Sequence, residues 1–285
     1  QIQRCFGFYG AKNRLLLLDL IGGLAEALGN DLCSAEPFLG AAEVPHLPGT
    51  GEAGVQCYLP YVLSMLVAGA DDDDGDITFS VASECLTSIT IALESAVEPH
   101  AAQVLGYCIA VAGRDLKLYL SEEMALQNER GGGSAGNIIT SLAQLEMVEE
   151  GTLPALDNVT AALELLSAVV EAVGRDRFQA ILCSPELRAT LSTLVEVTNA
   201  CLGLLDQPTC RQAAFSLLGE LVRSAPELVL GPKEAPAMLA AALRTVEHFT
   251  SLDEAEEFED NMMAFSNACW ALGLMAICGS ERAPS

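Results

Sequence analysis

Two stretches of the chain place acidic residues seven positions apart inside otherwise apolar segments. Asp19 is followed by Glu26, and Glu164 is followed by Glu171. Residues seven apart lie on one face of an α-helix, two turns from each other, so each pair would form a carboxylate stripe. Such carboxylates can bind the Arg and Lys side chains of a partner. They recur too regularly to suggest the single acid–base pair of an enzyme.

The two stretches also resemble each other, which indicates an internal repeat. Residues 19–29 and 164–174 share one order: an acid, an apolar run, a second acid, Ala, an aliphatic residue and Gly. Weaker echoes occur at 215–221 and 265–273. Helix pairs repeated at intervals of tens of residues are typical of HEAT-type solenoids. If the second helix of each pair lines the inner surface, the acids of several helices converge there.

Apolar periodicity at helical spacing runs through the chain, without convincing strand alternation. It predicts an all-α fold, a curved α-α superhelix (HEAT-repeat solenoid) of antiparallel helix pairs. We expect residues 1–285 to form a single array of about five pairs, as a fragment of a longer protein. Acidic and Gly-rich loops are expected near 37–54, 71–76, 127–137 and 250–260. Helices are predicted near 12–29, 55–68, 76–97, 99–125, 137–149, 153–173, 176–191, 192–205, 208–224, 234–249 and 260–278.

Charge and motifs exclude several classes of function. The net charge of −25, from 39 acidic and 14 basic residues, repels phosphates and argues against direct nucleic-acid binding, whereas it attracts a basic partner. The ten cysteines include no C-x-x-C pair. The G-x-G-x-x-G match at 49–54 lacks the preceding strand that a dinucleotide site needs. We therefore expect no enzyme activity, catalytic residue, metal ligand or cofactor.

Residues 261–280 carry no charged side chain. The segment contains Asn261, Ser266 and Asn267, and acids crowd its N-terminal side. We interpret it as a buried helix of the solenoid and expect no membrane as a partner.

Four segments resemble, in the same order along the chain, helices of the cargo site in the transportin family of the importin-β superfamily. They are residues 12–26, 162–171, 211–221 and 266–273, the last reading Ser-Asn-Ala-Cys-Trp-Ala-Leu-Gly. A generic HEAT protein would share the aliphatic spacing but not this string beside the acids. At 164 and 220 Glu stands where the family has Asp, which keeps the charge and lengthens the reach.

The resemblance implies a nuclear import receptor. Its members bind extended basic nuclear localisation signals of cargo proteins, which end in Pro-Tyr, and Ran in its GTP form releases the cargo. Further implied partners are the FG-repeat proteins of the nuclear pore, and the implied localisation is cytoplasmic and nuclear, with shuttling through the pore. The family's Ran-binding repeats and Pro-Tyr pocket are expected to lie upstream of this chain.

The resemblance also assigns the site residues. Trp270 would be a flat apolar platform for the upstream part of the signal, bordered by Gln212 and Met262. The carboxylates expected to bind cargo Arg and Lys are Asp19, Glu26, Glu84, Glu164, Glu171 and Glu220. Two alternatives stay open: Trp270 as a core residue, and the chain as a HEAT-repeat scaffold in another protein complex with the acids merely solvated.

Overall fold

The computed structural model describes residues 11–28, 75–131, 156–252 and 255–280, which are almost entirely helical and contain no strand. The helices are α1 (Ala11–Leu28), α2 (Gly75–Leu93), α3 (Glu98–Gly131), α4 (Asp157–Val173), α5 (Arg175–Leu182), α6 (Pro185–Arg188), α7 (Leu191–Leu202), α8 (Pro208–Ser224), α9 (Pro226–Val229), α10 (Glu234–Thr250) and α11 (Ala255–Ser280), with a 3-10 helix (Glu94–Val97) between α2 and α3.

The long helices form two layers. In the first layer, α1, α2, α4, α8 and α11 pack side by side in that order. In the second layer, α3 packs on α4, α7 on α8 and α10 on α11, and α7 also contacts α3 and α10. Each second-layer helix therefore lies against the first-layer helix that follows it in the chain. This is the helix-pair stacking of a HEAT-repeat solenoid, and it confirms the predicted fold class.

The core is continuous, because one cluster of buried apolar side chains includes residues of all five first-layer helices and of the second-layer helices packed on them. Helices α4 and α8 are both largely enclosed, and in α8 Leu217, Leu218, Leu221 and Val222 are fully buried. Each such aliphatic side chain stabilises the fold by about 1.5–3 kcal/mol relative to an exposed one.

Small residues and buried polar pairs fix the close helix contacts. A Cβ added to Gly113 of α3 would lie 2.8 Å from the Thr193 side chain of α7, so this glycine allows the two helices to approach. Asn158 at the start of α4 donates to the buried Asp115 of α3 over 3.1 Å. The fully buried Arg211 of α8 donates to Asn261 of α11.

Most predicted boundaries agree with the structure to within a few residues, and four predictions differ. The last two residues of the loop predicted at 71–76, Gly75 and Asp76, already belong to α2. The helix predicted at 176–191 divides into α5 and α6, because Ser184 caps a new helix with Pro185 in its first turn. The loop predicted at 127–137 is helical as far as Gly131, where α3 ends. The acidic run predicted as a loop at 250–260 is helical from Ala255, since acids are favourable in the first turns of a helix.

The structure confirms the predicted helix end at Gly174, whereas three other predicted segments lie outside the residues it describes. Gly174, which ends the second of the repeated stretches, adopts φ 76° directly after α4, a conformation that glycine tolerates well. The helices predicted at 55–68 and 137–149, and the loop at 37–54, lie outside the described residues.

Helix α11 is less buried than its uncharged sequence suggested. Within the described residues one segment, Phe258–Gly279 of this helix, is long and apolar enough to cross a membrane, and 22% of its most apolar part is buried. One face packs on α8 and α10, while Met263 and Ile277 are exposed on the other. The prediction of a buried helix is therefore correct for one face only.

Candidate functional site

The predicted site residues all lie on the first layer of helices. Asp19 and Glu26 are on α1, Glu84 on α2, Glu164 and Glu171 on α4, Gln212 and Glu220 on α8, and Met262 and Trp270 on α11. Because these five helices are neighbours in that order, residues spread over most of the chain come onto one layer. We call their exposed side the first-layer surface, and side-chain contacts between neighbouring helices connect its parts.

A pocket of about 560 Å³ opens between α1 and α2. It is lined by the carboxylates of Asp19, Glu26 and Glu84, and the Ser88 hydroxyl donates to Glu26 Oε1 over 2.9 Å. No Lys, Arg or His is among the residues that line it. The pocket is therefore negatively charged, and no cation among its lining residues offsets that charge. Such a pocket favours a positively charged ligand.

The acidic surface continues from α2 to α4 through a pair of like charges. Burial raises the pKa of Glu164, and the negative charge of Glu84 raises it further. Two carboxylates that repel each other in this way are stabilised by a cation placed between them. Glu164 and Glu84 are thus suited to share a basic side chain of a partner.

We expect Glu164→Gln to raise the melting temperature near neutral pH. A carboxyl whose pKa is higher in the folded chain than its ordinary value of 4.5 destabilises the fold when ionised. This cost is absent below the ordinary value, grows as the pH rises through the folded pKa, and is complete above it. Thermal unfolding of both proteins at about pH 7 and about pH 4 tests the prediction.

Glu196→Gln, an exposed substitution on α7, is the matched control and should change neither melting temperature. If Glu164→Gln does not raise the melting temperature at neutral pH, or raises it equally in acid, the ionised Glu164 carboxylate does not destabilise the fold.

Between α4 and α8 the acids surround a cation of the chain itself. Arg223 Nη2 donates to Glu220 Oε2 over 2.5 Å and lies 3.9 Å from Glu171 Oε1. The Glu220 side chain is only 6% exposed, whereas that of Glu171 is 65% exposed. Burial raises the pKa of Glu220, Arg223 opposes that rise, and Glu171 adds to it.

Hydroxyl and amide groups complete the polar contacts across the layer. Ser167 of α4 and Ser216 of α8 share a hydrogen bond of 3.0 Å. Asn267 of α11 donates to the backbone carbonyl of Gln212 over 3.2 Å. These hydrogen bonds link α4 to α8 and α8 to α11, and the one at Ser167 is buried beneath the surface.

Trp270 lies at the α11 end of this surface. Its ring is packed against Gly219 of α8, where an added Cβ would overlap the six-membered ring. The residue is 41% exposed, so one side of the indole contacts the protein and part of it faces solvent. Met262 is 47% exposed and lies roughly 12 Å earlier along α11 at 1.5 Å per residue, so only an extended ligand could contact both.

Sequence reasoning missed three residues that shape the surface: Gly219, Ser88 and Arg223. Arg223 follows Glu220 by three positions on one helix, a spacing that brings side chains together and could have indicated the pair. The role of Gly219 depends on a neighbouring helix and has no local signal.

Comparison with known proteins gives low but extensive similarity. No family model matches the chain. It is 25% identical over 285 residues to "Transportin-1" of Oryza sativa subsp. japonica, covering 98% of this chain and 24% of that protein. It is 27% identical over 222 residues to "Transportin-1" of Mus musculus and 26% identical to that of Homo sapiens, each covering 77% of this chain and 19% of the relative. The chain spans about a quarter or less of the length of these relatives.

Proposed function

Because the chain is a transportin-like relative of the importin-β superfamily, we propose that it is a cargo-binding part of a nuclear transport receptor. Its ligand would be an extended basic segment of a cargo protein, of the Pro-Tyr class of nuclear localisation signal. The segment would lie across the first-layer surface, with cationic residues toward α1 and α2 and an apolar residue at Trp270.

The observation that carries this proposal is the alignment of acids from four neighbouring helices with one half-exposed Trp on the fifth. The net charge of the chain alone would not require acids from different helices to lie close to one another. Here Asp19, Glu26 and Glu84 share one pocket and Glu164 adjoins Glu84. At the far end, Trp270 of α11 packs against Gly219 of α8. Such an arrangement suits a ligand that is long, basic and apolar at one end.

Many weak contacts would supply the affinity. Partly exposed ion pairs are worth about 0.2–1 kcal/mol each, so several are needed together. A packed aromatic anchor such as Trp270 is worth roughly 2 kcal/mol or more. An Arg side chain could also stack on the indole face, since guanidinium groups favour aromatic rings. Gln212 and Met262, which both lie toward the N-terminal ends of α8 and α11, would contact the ligand beyond that anchor.

The rest of the proposed role follows from the family. In the longer receptor, Ran in its GTP form would release the cargo, FG-repeat proteins of the nuclear pore would carry the complex, and the receptor would shuttle between cytoplasm and nucleus. The proposal contains no catalytic step, cofactor, membrane or nucleic-acid contact.

Calorimetric titration with matched synthetic peptides tests the proposal. One peptide is a basic Pro-Tyr signal, and the other has its Arg and Lys replaced by Ala. We expect the first to bind, to weaken as salt rises, and to bind more tightly than the second. If a chain that circular dichroism shows to be folded binds neither peptide, or binds both equally, the proposal is wrong and the scaffold alternative gains support.

A further inference from the structure

Arg223 occupies the central part of the first-layer surface. It bonds to the buried Glu220 over 2.5 Å and lies 3.9 Å from the exposed Glu171. A partner's Arg or Lys that binds at this point would have to approach the same two carboxylates. The chain's own Arg223 guanidinium therefore occupies the position that a basic side chain of the proposed ligand would take.

Arg223 is also unusual in its position. Helices α2, α4 and α11 contain no Lys, Arg or His. Helix α8 contains two basic residues, and the other one, Arg211, is fully buried. Among the four first-layer helices from α2 to α11, Arg223 is thus the exposed cation, and it contacts Glu171 and Glu220.

The pocket between α1 and α2 differs in this respect. Its three acids have no cation among the residues that line the pocket. A charge-assisted bond to a well-buried carboxylate is stronger than one to an exposed carboxylate, so the Arg223–Glu220 pair is not easily displaced. The two acidic regions of the surface therefore differ in their availability to an incoming cation.

We propose that Arg223 is a specificity-determining residue, which fills the Glu171–Glu220 subsite and excludes basic side chains of the ligand from it. The inference rests on the proposed function, and it restricts the positions at which basic residues of the ligand contribute to binding. Basic residues of the ligand contribute where they reach Asp19, Glu26 and Glu84. A positive charge in the part of the ligand that lies between these three acids and Trp270 adds nothing to the affinity.

Replacing Arg223 should open the subsite. We expect Arg223→Gln to bind the basic Pro-Tyr peptide about threefold to tenfold more tightly than the unaltered chain, with a steeper salt dependence. The peptide whose Arg and Lys are Ala should show no gain. Arg244→Gln on α10 is the matched control, because it removes the same charge from an exposed site on the second layer.

A second pair of variants avoids any effect of Arg223 on folding. Glu171→Gln should weaken peptide binding less than about twofold, because Arg223 already offsets that carboxylate. Glu84→Gln should weaken it several times more, because no cation lines its pocket. Both residues are exposed, so neither change removes core packing.

The outcomes separate this inference from the proposed function. If the unaltered chain binds the basic peptide but Arg223→Gln binds no more tightly than Arg244→Gln, the inference is wrong and the function stands. Equal losses for Glu171→Gln and Glu84→Gln would contradict it in the same way. If neither the unaltered chain nor Arg223→Gln binds the peptide, the proposed function fails, and the inference fails with it.

Discussion

Trp270→Ala should weaken binding of the basic Pro-Tyr peptide by about thirtyfold, which corresponds to roughly 2 kcal/mol. The ring is anchored on Gly219 and exposes part of its face, so truncation removes the flat apolar surface without opening an enclosed core. We expect the change mainly in the dissociation rate, as for other anchor residues. Calorimetry on both proteins measures the affinity, and thermal unfolding checks that the chain still folds.

Leu243→Ala is a suitable control, since Leu243 is a large exposed apolar residue on the second-layer helix α10. It should leave peptide affinity within about twofold. Gly219→Val offers independent support, because its side chain would displace the Trp270 ring and should also reduce affinity. Equal losses for Trp270→Ala and Leu243→Ala would show that the Trp has no special role.

The second large effect concerns the pocket between α1 and α2. Combined replacement of Asp19 by Asn, and of Glu26 and Glu84 by Gln, should weaken the basic peptide about tenfold at low salt. It should also flatten the salt dependence, because the charges that attract the ligand are removed. Affinity measured at two salt concentrations gives both quantities.

Three exposed acids of the second layer provide a control with the same change in net charge. They are Glu122 on α3, Glu196 on α7 and Glu247 on α10. Their combined change to Gln should weaken binding far less, because a distant charge is screened within about 10 Å in salt. If both triple variants lose the same affinity, the overall charge and not the first-layer surface attracts the peptide.

The fold could be predicted because solenoid helices carry their information locally. The pattern at 19–29 and 164–174 identified helices of equivalent position, and both lie in the first layer. Each repeat packs mainly on its neighbours, so apolar periodicity fixes most helices without knowledge of distant contacts. The errors occurred where local signals conflict, as in the acidic run before residue 261, which begins α11.

The site was less accessible to sequence reasoning because its details depend on contacts between helices. Identical acids differ in environment: Glu171 is exposed, while Glu220 is buried against Arg223. Spacing within one helix cannot show that difference. Nor could it show that Trp270 is supported by Gly219, since the two residues lie 51 positions apart on separate helices.

The most direct test of the central claim uses the fluorescence of the chain's single Trp, which reports on residue 270 alone. The basic Pro-Tyr peptide is titrated into the unaltered chain, with excitation at a wavelength that tyrosine does not absorb. We expect a saturable change in emission, whose midpoint rises with salt, and a much weaker response to the peptide without Arg and Lys. Calorimetric binding of the basic peptide without any change in Trp270 emission would contradict the proposed surface.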